Sequence, residues 1–129
     1  SHYDKDNKIS DRVIYYVNAI FQQGFDVVFI YTSFGMRSDE IEKITGIVSQ
    51  VILRKNVGYD FGSWKTAYQC VDDIQHYSML VIANDSVIGP VTSLADMFKS
   101  MEKSEYNVWG ITDNYEIKYH AQSYFLAFD

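Results

Sequence analysis

Cysteine is nearly absent from this sequence: Cys70 is the only one in 129 residues. That excludes an intrachain disulfide and a cysteine zinc cluster, and it fits a reduced, cytoplasmic setting. Long hydrophobic runs are missing too. None approaches the roughly 18 apolar residues of a membrane span, and no signal peptide is read. Positive charge is scarce, with 11 Lys and Arg against 17 Asp and Glu and a net charge of −6. A general nucleic-acid binder needs a basic stripe, so that class is set aside. An anionic ligand must instead be met locally, by a metal, a helix N-terminus or a few placed cations. There is no P-loop pattern and no GxGxxG, which weakens ATPase and dinucleotide readings. No Ser-His-Asp or Cys-His order is present, and the His residues at 2, 76 and 120 lack metal-ligand spacing. Cys70 falls mid-helix and reads as inert core.

What is there describes one domain over residues 1–129, long enough to bury about two-thirds of its unfolded surface. Aromatics reach 16%. Such a set suits a ring-rich core and also pockets that stack on flat rings or sugars. Ser10 is a good N-cap, and Val13, Val17, Ile20 and Phe21 follow at helical spacing until Gly24 supplies a stop. Residues 25–32 read as a buried strand and 33–37 as a loop. Ser38 caps a short helix that Gly46 ends, and 48–54 reads as the next strand. A helix is predicted over 63–75, with Trp64, Ala67, Tyr68, Val71 and Ile74 on one face. A strand at 79–83 follows, then a helix opened by Ser93 with Asp96 three residues on, then strands at 107–112 and 123–128. Helices alternating with strands imply parallel pairing through right-handed crossovers, so the strands near 26–32, 50–54 and 79–83 are expected in one parallel sheet.

Two stretches could carry chemistry. In SMLVIANDSVIGP, a short apolar run stops at Asn84, Asp85 and Ser86 and is followed by Gly89 and Pro90. Past the carboxyl end of a strand, an Asp can hold a divalent cation or a ribose hydroxyl, or it can simply cap the turn. In RKNVGYDFGSWK, a loop leaves one strand and enters a helix, with Gly58 and Gly62 giving the backbone freedom to approach a ligand. Arg54, Lys55 and Lys65 add positive charge there. Asp60 and Ser63 can bond a ligand or cap the helix. In a parallel sheet, Ser33, Asn56, Asp60 and Asp85 would meet at one crevice.

Five stretches in order, HYDKDNKISDRVIYYV, RKNVGYDFGSWK, VIANDSVIGP, WGIT and HAQSYFLAF, resemble the rhamnan synthesis F family of bacterial polysaccharide glycosyltransferases. The resemblance covers nearly the whole chain. It implies the glycosyltransferase A fold: α/β, Rossmann-like, a mostly parallel sheet with helices on both faces, here a fragment lacking the first strand. The abrupt ends, SHYDKDNKIS and YFLAFD, also lead us to expect a piece of a longer protein. The implied reaction moves L-rhamnose from dTDP-L-rhamnose to a growing cell-surface polysaccharide, with a lipid-linked or polymeric glycan as acceptor and Mg²⁺ or Mn²⁺ as cofactor. Asp85 would be the catalytic carboxylate and metal ligand. Asn56, Gly58, Asp60 and Ser63 in the Asn-x-Gly loop, with Asn84 and Ser86, would line the donor. Where the family's motif is Asp-x-Asp, this chain has Asn84-Asp85-Ser86, and so a single acid. Asp113 and His120 are candidates for the general base. The resemblance also implies a cytoplasmic protein, peripherally associated with the inner face of the membrane. The competing reading is a non-catalytic nucleotide-sugar or glycan-binding module of the same fold. The lone acid favours the module, and the five-stretch match favours the enzyme.

Overall fold

Val13, Tyr16, Val17 and Ile20 fall at the three- and four-residue spacing that stacks side chains on one helix face, and all four are buried on α1 (Asp11–Phe21). The computed structural model describes residues 1–35 and 37–129; Met36, within the loop expected at 33–37, lies outside them. After α1 come β1 (Val28–Tyr31), α2 (Ser38–Glu42), β2 (Gln50–Leu53) and α3 (Tyr59–Cys70), then a 3₁₀ turn at Ile74–His76. The chain continues through β3 (Leu80–Ala83), α4 (Leu94–Met101), β4 (Val108–Gly110), β5 (Asp113–Asn114), β6 (His120–Ala121) and β7 (Phe125–Phe128).

Two apolar cores divide the molecule, and α1 serves both. Val13 and Val17 join Ile9, Phe29, Tyr31 and Ile44 around the β1–β2 pair. Tyr16 and Ile20, on the neighbouring face, join Trp109, Phe125 and Ala127, with Phe98 of α4 packed against them. Phe98 sets its ring edge-on to Trp109 at a centroid distance of 5.6 Å. On β7, Phe125 and Ala127 point into this core while Leu126 and Phe128 are less buried, the period of two expected of a strand with one covered face.

The single Rossmann-like parallel sheet is not formed. β1 and β2 are parallel, Val28 opposite Gln50 through Tyr31 opposite Leu53, as the alternation of elements predicts. β3 belongs to a different sheet, ordered β3-β7-β4, and both of its pairings are antiparallel. The hairpin β5–β6 makes a third small sheet. Element type follows from local patterning, but β3 takes as neighbour the last strand of the chain, Ala83 opposite Phe125, and that strand runs the other way. None of the four β3 residues is fully buried, although the apolar run at 79–83 reads as a strand.

Smaller corrections have local causes. α3 starts at Tyr59, not residue 63, because Gly58 takes a left-handed φ of 77° and serves as the cap. It ends at Cys70, which is exposed rather than core. Tyr68 is exposed as well. Ser38 is the first helical residue of α2 and Arg37 its cap. Ser10 caps α1 without a side-chain bond. Ser93 behaves as predicted: its hydroxyl accepts the Asp96 N–H at 3.3 Å.

Two expectations follow. Phe125→Ala empties the centre of the second core and should lower stability by about 3–5 kcal/mol in denaturant unfolding, whereas a loss under about 1 kcal/mol would contradict this packing. The second concerns Glu40, whose buried carboxylate accepts the Ile9 N–H at 2.6 Å and the Lys43 ammonium at 2.7 Å. The Lys43 bond first, and then the Ile9 amide, hold that carboxyl below its ordinary value of 4.5. The stabilisation is therefore complete above that value and is lost as pH falls through the lower folded-state value. Glu40→Gln should flatten the acid limb of the melting-temperature profile; an unchanged limb would show that the pair contributes nothing.

Candidate functional site

The turn after β3 is tied to three other parts of the chain. The Ala83 carbonyl accepts from the Trp64 indole at 3.2 Å and from the Ser1 nitrogen at 2.7 Å. Asn84 donates its amide to Asp60 Oδ2 at 2.9 Å, and its Oδ1 accepts the Ser86 N–H at 3.2 Å. Asp60 Oδ1 also takes the Ser1 hydroxyl. Asp85 Oδ2 lies 2.7 Å from Nδ1 of His2, whose side chain is buried. Nε2 of His2 faces the Lys8 carbonyl at 3.0 Å. A carbonyl can only accept, so the contact with Lys8 places a hydrogen on Nε2.

Arg12 secures the same turn from α1, donating to the Asp85 carbonyl at 2.6 Å and the Val87 carbonyl at 2.5 Å. The Tyr16 hydroxyl is buried without a partner among the described residues. Burial, with the nearby Asp85 charge as a second cause, raises its ionisation well above the ordinary phenol range.

The glycine loop is built around Arg54. Its guanidinium donates to the Val57 carbonyl at 2.5 Å and to the Ser63 hydroxyl at 2.8 Å. Ser63 in turn donates to the Tyr59 carbonyl at 3.0 Å. Gly62 is obligatory here, since a Cβ would sit 2.3 Å from the Val57 oxygen. This packing brings Asp60, at the first turn of α3, up to Asn84.

Of the residues singled out from sequence, Asp60, Asn84, Asp85 and Ser86 come together. Gly58 shapes the loop and Ser63 is buried inside it. Asn56 is exposed in the loop. Ser33 accepts the Asp4 N–H at 2.7 Å and faces the N-terminal segment. Asp113 and His120 lie on the exposed β5–β6 hairpin, where the His120 ring bonds the Lys118 carbonyl at 2.8 Å. Among the described residues, no hydrogen bond connects either to Asp85. His2, Arg12 and Trp64 were missed as site residues, because they reach the turn across long stretches of chain and no local pattern marks them.

A family model described as rhamnan synthesis protein F matches residues 27–129. The chain belongs to that family. Virulence protein VirA of Vibrio anguillarum is 37% identical over 81 residues, which cover 60% of this chain and 25% of that protein. Uncharacterized protein y4gN of Sinorhizobium fredii is 32% identical over 83 residues, covering 60% of this chain and 22% of that one. The chain thus spans about a quarter of the length of these curated relatives. No solved structure matches it.

The His2–Asp85 bond should be worth about 1.5–3 kcal/mol, as expected of a hydrogen bond to a charged group. A double-mutant cycle of His2→Ala and Asp85→Asn should return a coupling of that size, and strictly additive losses would contradict the contact.

Proposed function

We propose that this chain forms the donor-binding part of a glycosyltransferase that moves L-rhamnose from dTDP-L-rhamnose to a growing cell-surface polysaccharide. The membership in a rhamnan-synthesis family supports the sugar and the polymer. The observation that carries the site is the convergence of Asp60, Asn84 and Asp85 at the end of β3, beside the glycine loop. Asn84 and Ser86 are suited to bond ribose hydroxyls. Gly58 lets the backbone come close to a ligand, and the first-turn amides of α3 favour negative charge. A lipid-linked or polymeric glycan is the acceptor this reading requires, and Asp113 or His120 would serve as base only if the hairpin reached it.

Mg²⁺ or Mn²⁺ fits the site in one form only. Among the described residues, no three His, Cys, Asp or Glu side chains converge as a cage. Magnesium is commonly held by one or two carboxylates together with substrate phosphates. Asp85 Oδ1, which has no donor among the described residues, would be the protein's main contribution, with Asp60 beside it. Such an ion supplies Lewis-acid stabilisation of the leaving diphosphate. Among the described residues, no helix is long and apolar enough to cross a membrane. In this reading, work on a lipid-linked acceptor places the chain at the inner face of the membrane.

The second reading, a binding module without turnover, is favoured by one feature: His2 already takes Asp85 Oδ2. Labelled dTDP-L-rhamnose and glycan acceptors, given to the protein, separate the two. The enzyme reading predicts transfer, and a drop of about 10²-fold or more for Asp85→Asn with little change in melting temperature. Near-wild-type turnover of that variant refutes the assignment of Asp85, and donor binding without any transfer favours the module.

A further inference from the structure

The sheet ordered β3-β7-β4 fixes where the β5–β6 hairpin stands. β3 and β4 both run antiparallel to β7, so they run parallel to each other and their carboxyl ends share one edge of the sheet. There Ala83 stands opposite Phe125, and Gly110 opposite Leu126. The turn carrying Asn84, Asp85 and Ser86 leaves this edge from β3, and the hairpin leaves it from β4 and leads back into β7. Tyr124 joins the two. Its carbonyl accepts the Asn84 N–H at 3.2 Å, and its hydroxyl bonds the Thr112 hydroxyl at the base of the hairpin.

The hairpin is ordered by its own bonds. Asp113 pairs with Ala121 and Asn114 with His120, and the Gln122 N–H donates to the Thr112 carbonyl at 2.9 Å. Asn114 Oδ1 accepts the Glu116 N–H at 2.6 Å, a side chain bonding the backbone two residues on, which starts the turn. Large apolar side chains nevertheless stand in solvent at its tip: Tyr115 is 73% exposed, Ile117 89% and Tyr119 65%. The two tyrosine rings meet, with centroids 5.0 Å apart and planes at 48°. Such a grouping on a fixed frame marks an interaction surface, whereas single exposed apolar residues do not.

Chemistry narrows the partner. A tyrosine ring has a negative face and a hydroxyl tip, so it can receive the C–H face of a sugar and bond the sugar's hydroxyls. The charged residues of the hairpin are Asp113 and Glu116 against Lys118. That excess of negative charge disfavours an anionic lipid surface and a nucleoside diphosphate, and it leaves a neutral ligand.

We propose that Tyr115 and Tyr119 form an acceptor subsite, a stacking platform for a neutral glycan on the same sheet edge as the Asn84-Asp85-Ser86 turn. The occupant rests on the transferase reading above, while the surface rests on the hairpin's own geometry. Ile117 at the tip suits the methyl group of a 6-deoxy sugar. Donor and acceptor thus approach one edge from two strands, the donor at β3 and the acceptor at β4.

The test titrates a trisaccharide of L-rhamnose into the isotope-labelled chain and follows amide and tyrosine-ring NMR shifts. The sugar should shift Tyr115, Ile117 and Tyr119 in a saturable way. Tyr115→Ala and Tyr119→Ala should each weaken binding about tenfold, while Tyr115→Phe and Tyr119→Phe stay within about threefold because stacking survives. The wild-type titration decides alone if an Ala variant loses the hairpin, which exchange of the Gln122 amide reports. Neutral and anionic lipid vesicles are titrated in parallel. No shift at the hairpin with the sugar, shifts there with vesicles only, or Phe variants as weak as an Ala variant that keeps the hairpin overturns the proposal. dTDP, added separately, reports on Asp60, Asn84 and Asp85, so failure of the donor reading and failure of the hairpin are told apart.

Discussion

The crevice depends on one short seam, in which residues 1 and 2 hydrogen-bond to two strands that share no ladder with each other. His2 uses its backbone on β1 and its ring on Asp85, while Ser1 reaches Ala83 and Asp60. Thr32 adds a side-chain bond to the His2 carbonyl at 2.9 Å. A bond between neutral groups contributes about 0.5–1.5 kcal/mol net and one to a charged group about 1.5–3 kcal/mol, so none is decisive alone. Together they set the distance between the end of β1 and the turn after β3, and so the width of the site.

Charge is distributed to match. In a chain of net charge −6, the two arginines nearest the site serve as staples for carbonyls rather than as open anion receptors. Arg12 holds the 85–87 turn, and Arg54 holds the 57–63 loop. Their charge still biases the local field, but their donors are engaged in shaping the loops. A diphosphate donor would therefore depend on the α3 amides and on a cation beside Asp85. This links the proposed cofactor to the packing that leaves Asp85 Oδ1 without a donor among the described residues.

Much of this was legible because it is local. The α1 face at 13, 17 and 20, the Ser93 cap and the parallel β1–β2 pair all follow from spacing and punctuation. The expected meeting of Ser33, Asn56, Asp60 and Asp85 rested on one parallel sheet that is not formed, and Asp60 reaches the turn after β3 through Asn84 instead. The illegible part is long-range. His2 meets Asp85 across 83 positions, and no periodicity announces it. β3 pairs with the final strand rather than with β1, and an apolar run of five residues is compatible with either. The start of α3 was misread because Gly58 acts as a left-handed cap and Tyr59 follows at a φ of 49°, while Asp60 and Ser63 looked like better caps.

The most direct measurement for the crevice is a titration of dTDP into the isotope-labelled chain, followed by amide NMR shifts with and without Mg²⁺. The account predicts changes clustered at Gly58, Asp60, Asn84 and Asp85, strengthened by the ion. Changes confined to the β5–β6 hairpin, or none at saturating nucleotide, would contradict it.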